Sequence, residues 1–210
     1  NITIIFNGSQ IGGTLNEGTS DTNFTINFTV LDADGFSNLN SATAAINFTK
    51  SGDDTRYNKT CTQYQSSGNH ANYTCLVQMW WWDGDGTWNI SVNISDSSGN
   101  TAVNNTVRFI VSLTTGFTQG PGNITFATLT VGATNQTASN DPILLNNTGN
   151  KDIARTAISI NATNLSGESD ASKALYPGNF SVGNTTGTSL ECLYAGTSFI
   201  PFDFPLGADA

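Results

Sequence analysis

Asparagine is the residue type best placed to carry chemistry in this sequence. Asn-x-Ser/Thr triplets with x other than proline accept N-linked glycan. They begin at Asn1, Asn7, Asn23, Asn27, Asn47, Asn58, Asn72, Asn89, Asn93, Asn104, Asn123, Asn135, Asn146, Asn161, Asn164, Asn179 and Asn184. These are 17 sequons, where a shuffled chain of the same composition gives about six. Chance explains one triplet but not the set. In Asn23-Phe24-Thr25-Ile26-Asn27-Phe28-Thr29-Val30 every Asn and Thr falls on one strand face and every apolar residue on the other. Trp88-Asn89-Ile90-Ser91-Val92-Asn93-Ile94-Ser95 repeats the arrangement. A sugar needs its asparagine facing solvent, and the alternation puts it there.

The cysteines offer a second chemistry. Cys61 and Cys75 sit symmetrically about Gly68. A hairpin turning there places 61 opposite 75, 63 opposite 73 and 65 opposite 71, within disulfide reach. Two buried thiols are the alternative; export to an oxidising compartment favours the bond. Cys192 is left over, as a buried thiol, an intersubunit bridge or the partner of a cysteine beyond this sequence.

Two Asp-x-Asp-Gly turns, Asp32-Ala33-Asp34-Gly35 and Asp83-Gly84-Asp85-Gly86, offer carboxylates for structural calcium, with Asp96 and Asp53-Asp54 as further oxygens. Neither turn continues into an EF-hand loop, and Asp and Gly are also ordinary turn residues. If calcium binds, the expectation is that it bridges the two turns. Met79-Trp80-Trp81-Trp82 is the third unusual run. Were 83–86 the turn of a hairpin, Trp81 would face Trp88 and both would be core, leaving Trp80 and Trp82 outward. Those two then pack under a glycan, meet another subunit or form a platform for foreign sugar.

Little supports catalysis. The one histidine, His70, falls at the predicted hairpin tip, and no Gly-x-Ser-x-Gly, His-Glu-x-x-His or phosphate-binding glycine pattern is present. Glu17, Glu168 and Glu191 are the only glutamates, and none pairs with an Asp at a glycosidase-like spacing. The expectation is therefore a non-enzyme without a resident cofactor, apart from covalent glycan and the calcium just considered.

Composition fits that picture. Charged residues are 11% of the 210, against roughly 25% in ordinary domains, while 26 Asn, 30 Thr and 20 Ser supply the polarity. Seven Lys plus Arg give a net charge of −9 with no basic run, which disfavours nucleic acid as a partner. No apolar run approaches the ~20 residues that span a bilayer. The start at Asn1, without Met or leader, is what a mature exported product shows.

These groups must be positioned by strands, since no amphipathic helix of ten residues is present. Strands are expected near 2–6, 23–31, 43–49, 60–65, 72–82, 87–95 and 103–112, then near 123–131, 142–146, 155–161, 178–182 and 190–194, bounded by Gly, Asn, Asp and Ser. The stretch 114–122, with Gly116, Gly120, Pro121 and Gly122, is the expected linker between domains 1–113 and 123–210. The fold class is all-β: two tandem immunoglobulin-like β-sandwiches.

Gly86-Thr87-Trp88-Asn89-Ile90-Ser91-Val92, with Asp96-Ser97-Ser98-Gly99-Asn100, resembles the closing strands of bacterial and archaeal immunoglobulin-like surface domains. Ile124–Gly132, followed by Leu145-Asn146-Asn147-Thr148-Gly149-Asn150, is similar to the opening of Hydin-like and major-sperm-protein-like sandwiches, with Ala127 where those carry glycine. Tandem sandwiches, dense sequons and Thr/Asn/Ser richness look like archaeal surface-layer and extracellular-filament proteins. The resemblances imply a structural or adhesive module at the cell surface.

The leading expectation is a glycosylated filament subunit whose partners are copies of itself. A surface-layer lattice protein and a carbohydrate-binding adhesin are the alternatives. Strand donation is the expected contact: Ile2, Ile4 and Phe6 enter a neighbour's sandwich, Gly12-Gly13 serves as a hinge, and Trp80 and Trp82 add subunit contacts. The alternative is that 2–6 are simply the first strand of their own domain.

Overall fold

In the computed structural model the period-two segments of the first half become strands. The structure describes residues 2–6, 12–18, 20–141, 143–154, 157, 159–160, 164–183, 190–192 and 198–199. The chain forms two units, Asn1–Thr115 with Gly149–Lys151, and Gly116–Thr148 with Asp152–Ala210. In unit 1 the strands are β1 (Ile2–Phe6), β2 (Thr22–Asp32), β3 (Leu39–Thr49), β4 (Arg56–Asn58), β5 (Thr62–Ser67), β6 (His70–Met79), β7 (Gly86–Asp96) and β8 (Thr101–Val111). They make two four-stranded antiparallel sheets, ordered β1-β2-β6-β5 and β4-β3-β7-β8.

Alternation decides which faces meet. Ile26, Phe28 and Val30 of β2 and Tyr73, Cys75 and Val77 of β6 join Ala44, Ile46 and Phe48 of β3 and Trp88, Ile90, Val92 and Ile94 of β7 in one core. Phe28 stacks on Tyr73 at 5.4 Å, and Phe109 meets the edge of Phe24 at 4.6 Å. Each large apolar side chain buried this fully contributes about 1.5–3 kcal/mol. The Tyr73 hydroxyl keeps a polar partner, Ser41 Oγ at 2.8 Å, and burial pushes its ionisation up.

The Cys61–Cys75 disulfide is present, with Cα atoms 4.5 Å apart. The hairpin register is as expected beside it, Gln63 facing Tyr73, but a bulge at Tyr64 then shifts the ladder. Gln65 therefore faces Asn72, not Ala71, and a two-residue turn, Gly68-Asn69, closes the hairpin with Gly68 at φ +58°.

Two expectations fail in unit 1. Residues 80–85 do not turn a hairpin: β6 belongs to one sheet and β7 to the other, so they carry the chain across the sandwich. Trp88 is fully buried as expected, whereas Trp81 lies half-buried in the crossover. Gly12-Gly13 is not a free hinge. Gly13 donates to Ile110 O and accepts from Ser112 N, both at 2.9 Å, in a parallel bridge to the end of β8. A Cβ on Gly12 would stand 2.0 Å from Ile110 O, and Gly12 holds φ +104°; the glycines are there for close backbone approach. Within the single chain β1 pairs with its own β2, Ile2 opposite Asp32 through Phe6 opposite Phe28, which is the arrangement stated above as the alternative to donation. Ile4 is buried in that core and Ile2 and Phe6 pack against it.

Unit 2 is built differently. Its described strands pair only in twos: β9 (Phe117–Gly120) with β10 (Leu144–Asn147), β11 (Ser159–Ile160) with β16 (Ser198–Phe199), β12 (Leu165–Ser166) with β13 (Ala174–Leu175), and β14 (Ser181–Gly183) with β15 (Leu190–Cys192). Part of the expected linker is thus a strand, because Leu144–Asn147 supplies a partner for Phe117–Gly120. The expected strand at 123–131 does not form. Asn150, from the Asn-Thr-Gly-Asn run, belongs to unit 1, where it extends the end of β8: its Oδ1 accepts from Thr114 N at 2.7 Å and its Nδ2 donates to Ser112 O at 2.9 Å.

Candidate functional site

The sequons follow the strands. Asn23 and Asn27 on β2 and Asn89 and Asn93 on β7 stand on outward faces, Asn27, Asn89 and Asn93 between buried inward residues and Asn23 between half-buried ones. Across the described residues, Asn23, Asn89, Asn123, Asn135, Asn146, Asn164 and Asn179 are exposed, and Asn27, Asn47, Asn58, Asn72, Asn93 and Asn104 are half-buried. None is buried. The buried asparagines are Asn147 and Asn150, and neither begins a sequon. Asn1, Asn7, Asn161 and Asn184 lie outside the described residues.

Three sequons also spend their amides on the fold. Asn58 on β4 and Asn104 on β8 occupy opposite edges of the same sheet. Each Oδ1 accepts from the backbone N of the sequon threonine, at 2.7 and 3.0 Å, and from its hydroxyl. Each Nδ2 then reaches a carbonyl of the other sheet at 2.8 Å, Leu76 O from Asn58 and Ile4 O from Asn104. The two side chains clasp the sandwich along both open sides. Asn72 is held between Thr29 Oγ1 at 2.7 Å and Gln65 Oε1 at 3.1 Å. Asx-turn chemistry explains the clasps; a sequence pattern alone does not separate them from free sequons.

The tryptophan run caps one end of unit 1. Trp80 and Trp82 stack at 5.2 Å and 7°, Trp81 meets Trp82 edge-on, and the Arg56 guanidinium sits over Trp80 at 5.8 Å. Trp80 thus has both an indole and a guanidinium packed against its ring. Arg56 also donates to Asp83, Nε at 2.9 Å to each carboxylate oxygen and Nη2 at 2.6 Å to Oδ1. Trp80 N donates to Asp83 Oδ2 at 2.9 Å. Asp83 is 1% exposed, and burial pushes its carboxyl above the usual aspartate range although Arg56 pulls the other way. Beside it Lys50 pairs with Asp53 at 2.5 Å, and Asp53 accepts from Gly84 N at 2.7 Å. Arg56 was not legible as a partner; the one available signal is that only seven cations serve the whole chain.

The acidic turns do not converge. Asp32 and Asp34 follow the end of β2, while Asp83 and Asp85 follow β6, which runs antiparallel to it from Leu31–His70 to Thr22–Met79. A ten-residue ladder of about 30 Å separates them, so one ion cannot bridge the pair. Asp32 instead holds its own turn, accepting from Asp34 N at 3.1 Å and Asn38 Nδ2 at 3.0 Å. Asp96 accepts from Asn100 N and Nδ2, both at 2.8 Å. The Asn100 side chain is the main cause holding its carboxyl below the usual range. Among the described residues no three of His, Cys, Asp or Glu gather as metal ligands. His70 opens β6 next to the Gly68-Asn69 turn. The Cys192 backbone pairs with Ser181; its side chain is outside the described set.

Comparison of the chain with family models, with curated proteins and with solved structures returned no match. No helix among the described residues is long and apolar enough to cross a membrane.

Proposed function

We propose that this chain is a structural subunit of an N-glycosylated extracellular assembly, a cell-surface filament built by β-strand exchange between copies. The observation that supports the reading is the sorting of asparagines: no described asparagine that begins a sequon is buried, and the two buried asparagines, Asn147 and Asn150, begin none. A surface with few charges and many sugars keeps a β-rich protein hydrated without charge repulsion. Unit 1 we read as immunoglobulin-like, because its orders β1-β2-β6-β5 and β4-β3-β7-β8 correspond to A-B-E-D and C′-C-F-G of that sandwich. Dense sequons on such a scaffold suit an archaeal cell surface. Strand exchange is supported by β1, a five-residue strand at the sheet edge whose only strand partner is β2, with Ile2 and Phe6 only partly buried.

Electron microscopy and intact-glycopeptide mass spectrometry of native material test it together. Filaments with sugar on Asn23, Asn27, Asn89 and Asn93 are expected. A two-dimensional lattice selects the surface-layer alternative, and bare asparagines on a monomer overturn the proposal.

A further inference from the structure

The sheet β4-β3-β7-β8 turns three sequon asparagines outward, and they stand close together. Asn47 on β3 pairs with Ser91 on β7, and Asn89 and Asn93 are the next residues on the same face to either side of Ser91. Diagonal neighbours of this kind are about 7–8 Å apart. Sugars on Asn89 and Asn93 fill the space over β7 and leave one on Asn47 the side toward β4. There Asn47 pairs with Tyr57, which is 57% exposed. Of the described sequon asparagines in paired strands, Asn47 alone faces an aromatic residue. Strand propensity accounts for a tyrosine on β4, but not for its place opposite this sequon. The Lys59 ammonium lies over one face of the ring at 5.0 Å, which leaves the other. No described hydrogen bond engages the Asn47 side chain, unlike those of Asn58, Asn72 and Asn104.

We infer that Tyr57 is the seat of the first sugar on Asn47, a pyranose lying with its C–H face on the ring face that Lys59 leaves open. The inference rests on the glycosylation reading and deepens it, because this sugar then holds the fold as well as hydrating it. Facing residues on antiparallel strands have Cβ atoms about 4.5–5.5 Å apart. A sugar bonded to Asn47 Nδ2 and the Tyr57 ring therefore rise from the sheet side by side. The face of an aromatic ring is negative and polarised C–H groups are positive, the attraction that also sets ring pairs edge to face. The contact shields an exposed ring from water. It also ties β4, only three residues long, to β3 by more than its short ladder.

The glycosylated chain and the same chain made in a host without N-glycosylation test this together. Glycopeptide mass spectrometry reports the occupancy of Asn47, and the fluorescence of buried Trp88 follows the melting of unit 1. In the glycosylated chain Asn47→Gln and Tyr57→Thr are each expected to lower that transition by about 3 °C. The double variant is expected to lose no more than either alone, as coupled residues do. Without sugar each change is expected to shift the transition by less than about 1 °C. Nuclear magnetic resonance of the glycosylated chain is expected to show protons of the Asn47 sugar shifted upfield by the ring, and restored in Tyr57→Thr. Additive losses, or an equal loss from Tyr57→Thr without sugar, show that the two residues act apart and overturn the inference. So does a bare Asn47 while Asn23, Asn27, Asn89 and Asn93 carry sugar, which leaves the glycosylation reading intact. Sugar on none of the five removes that reading and this inference with it.

Discussion

Phe28 and Phe126 each stand beside a threonine and two residues after an isoleucine, and they end in opposite surroundings. Phe28 is fully buried against Tyr73, and Phe126 is 42% exposed. The difference lies in partners. β2 finds β1 on one side and β6 on the other, whereas 123–131 pairs with no described strand. All of the described buried apolar side chains belong to unit 1. Alternation therefore states that a segment can pair; whether it does depends on strands far away in the sequence.

The largest expected effect separates the two units outright. Phe28→Ala leaves a cavity between tightly packed rings and is expected to cost unit 1 about 3–5 kcal/mol. Phe126→Ala in the monomer removes an exposed ring and is expected to stay within about 0.5 kcal/mol. Denaturant titration reads both, unit 1 through the fluorescence of Trp88 in its core and the whole chain through backbone circular dichroism. A comparable loss from Phe126→Ala would mean that unit 2 has a core of its own around that ring, and the contrast would fail.

Much of unit 1 was legible for a physical reason. Its strands bury one face and solvate the other, so Asn23, Thr25, Asn27 and Thr29 announce the strand and its orientation at once. The disulfide was legible because Cys61 and Cys75 flank a glycine turn. What escaped reading depends on tertiary placement. Trp81 was assigned to a hairpin that is instead a crossover between sheets. Gly12-Gly13 reads as a joint until β8 is known to lie against it. The acidic turns look alike in sequence and stand at opposite ends of the sandwich.

A middle-sized effect tests the polar end of unit 1, which unit 2 lacks among its described residues. Arg56→Ala leaves Asp83 buried with only the Trp80 amide as a described donor, and is expected to cost about 2–4 kcal/mol at neutral pH. Burial already raises the Asp83 carboxyl, and losing the guanidinium removes what opposes that rise. The folded variant then holds a proton that its unfolded chain releases, so its stability rises as pH falls from neutral through the raised value. The loss measured at pH 5 is therefore expected to be smaller than at pH 7.5. Equal losses at both would mean that solvent reaches Asp83 once Arg56 is gone.

The smallest effect concerns sequons that look the same and do different work. Asn104 on β8 and Asn93 on β7 both begin Asn-x-Ser/Thr triplets, and neither is buried. Asn104 Nδ2 donates to Ile4 O across the open side of the sandwich, while no described bond engages the Asn93 amide. Aspartate nearly matches asparagine in shape and keeps an oxygen for the Thr106 bonds, but cannot donate to Ile4. Asn104→Asp is thus expected to cost about 1 kcal/mol, the net worth of one hydrogen bond, and to loosen β1 at the edge it closes. Asn93→Asp is expected to change stability by no more than a few tenths of a kcal/mol. Occupancy should divide the same way, because a sugar on Asn104 Nδ2 would crowd the donor that holds Ile4 O. Glycopeptide mass spectrometry is expected to find Asn93 carrying glycan and Asn104 bare. Sugar on Asn104 with β1 still ordered would show that the remaining amide proton suffices for the clasp. The division of sequons into coat and clasp would then be wrong, and Asn58 would join the coat as well.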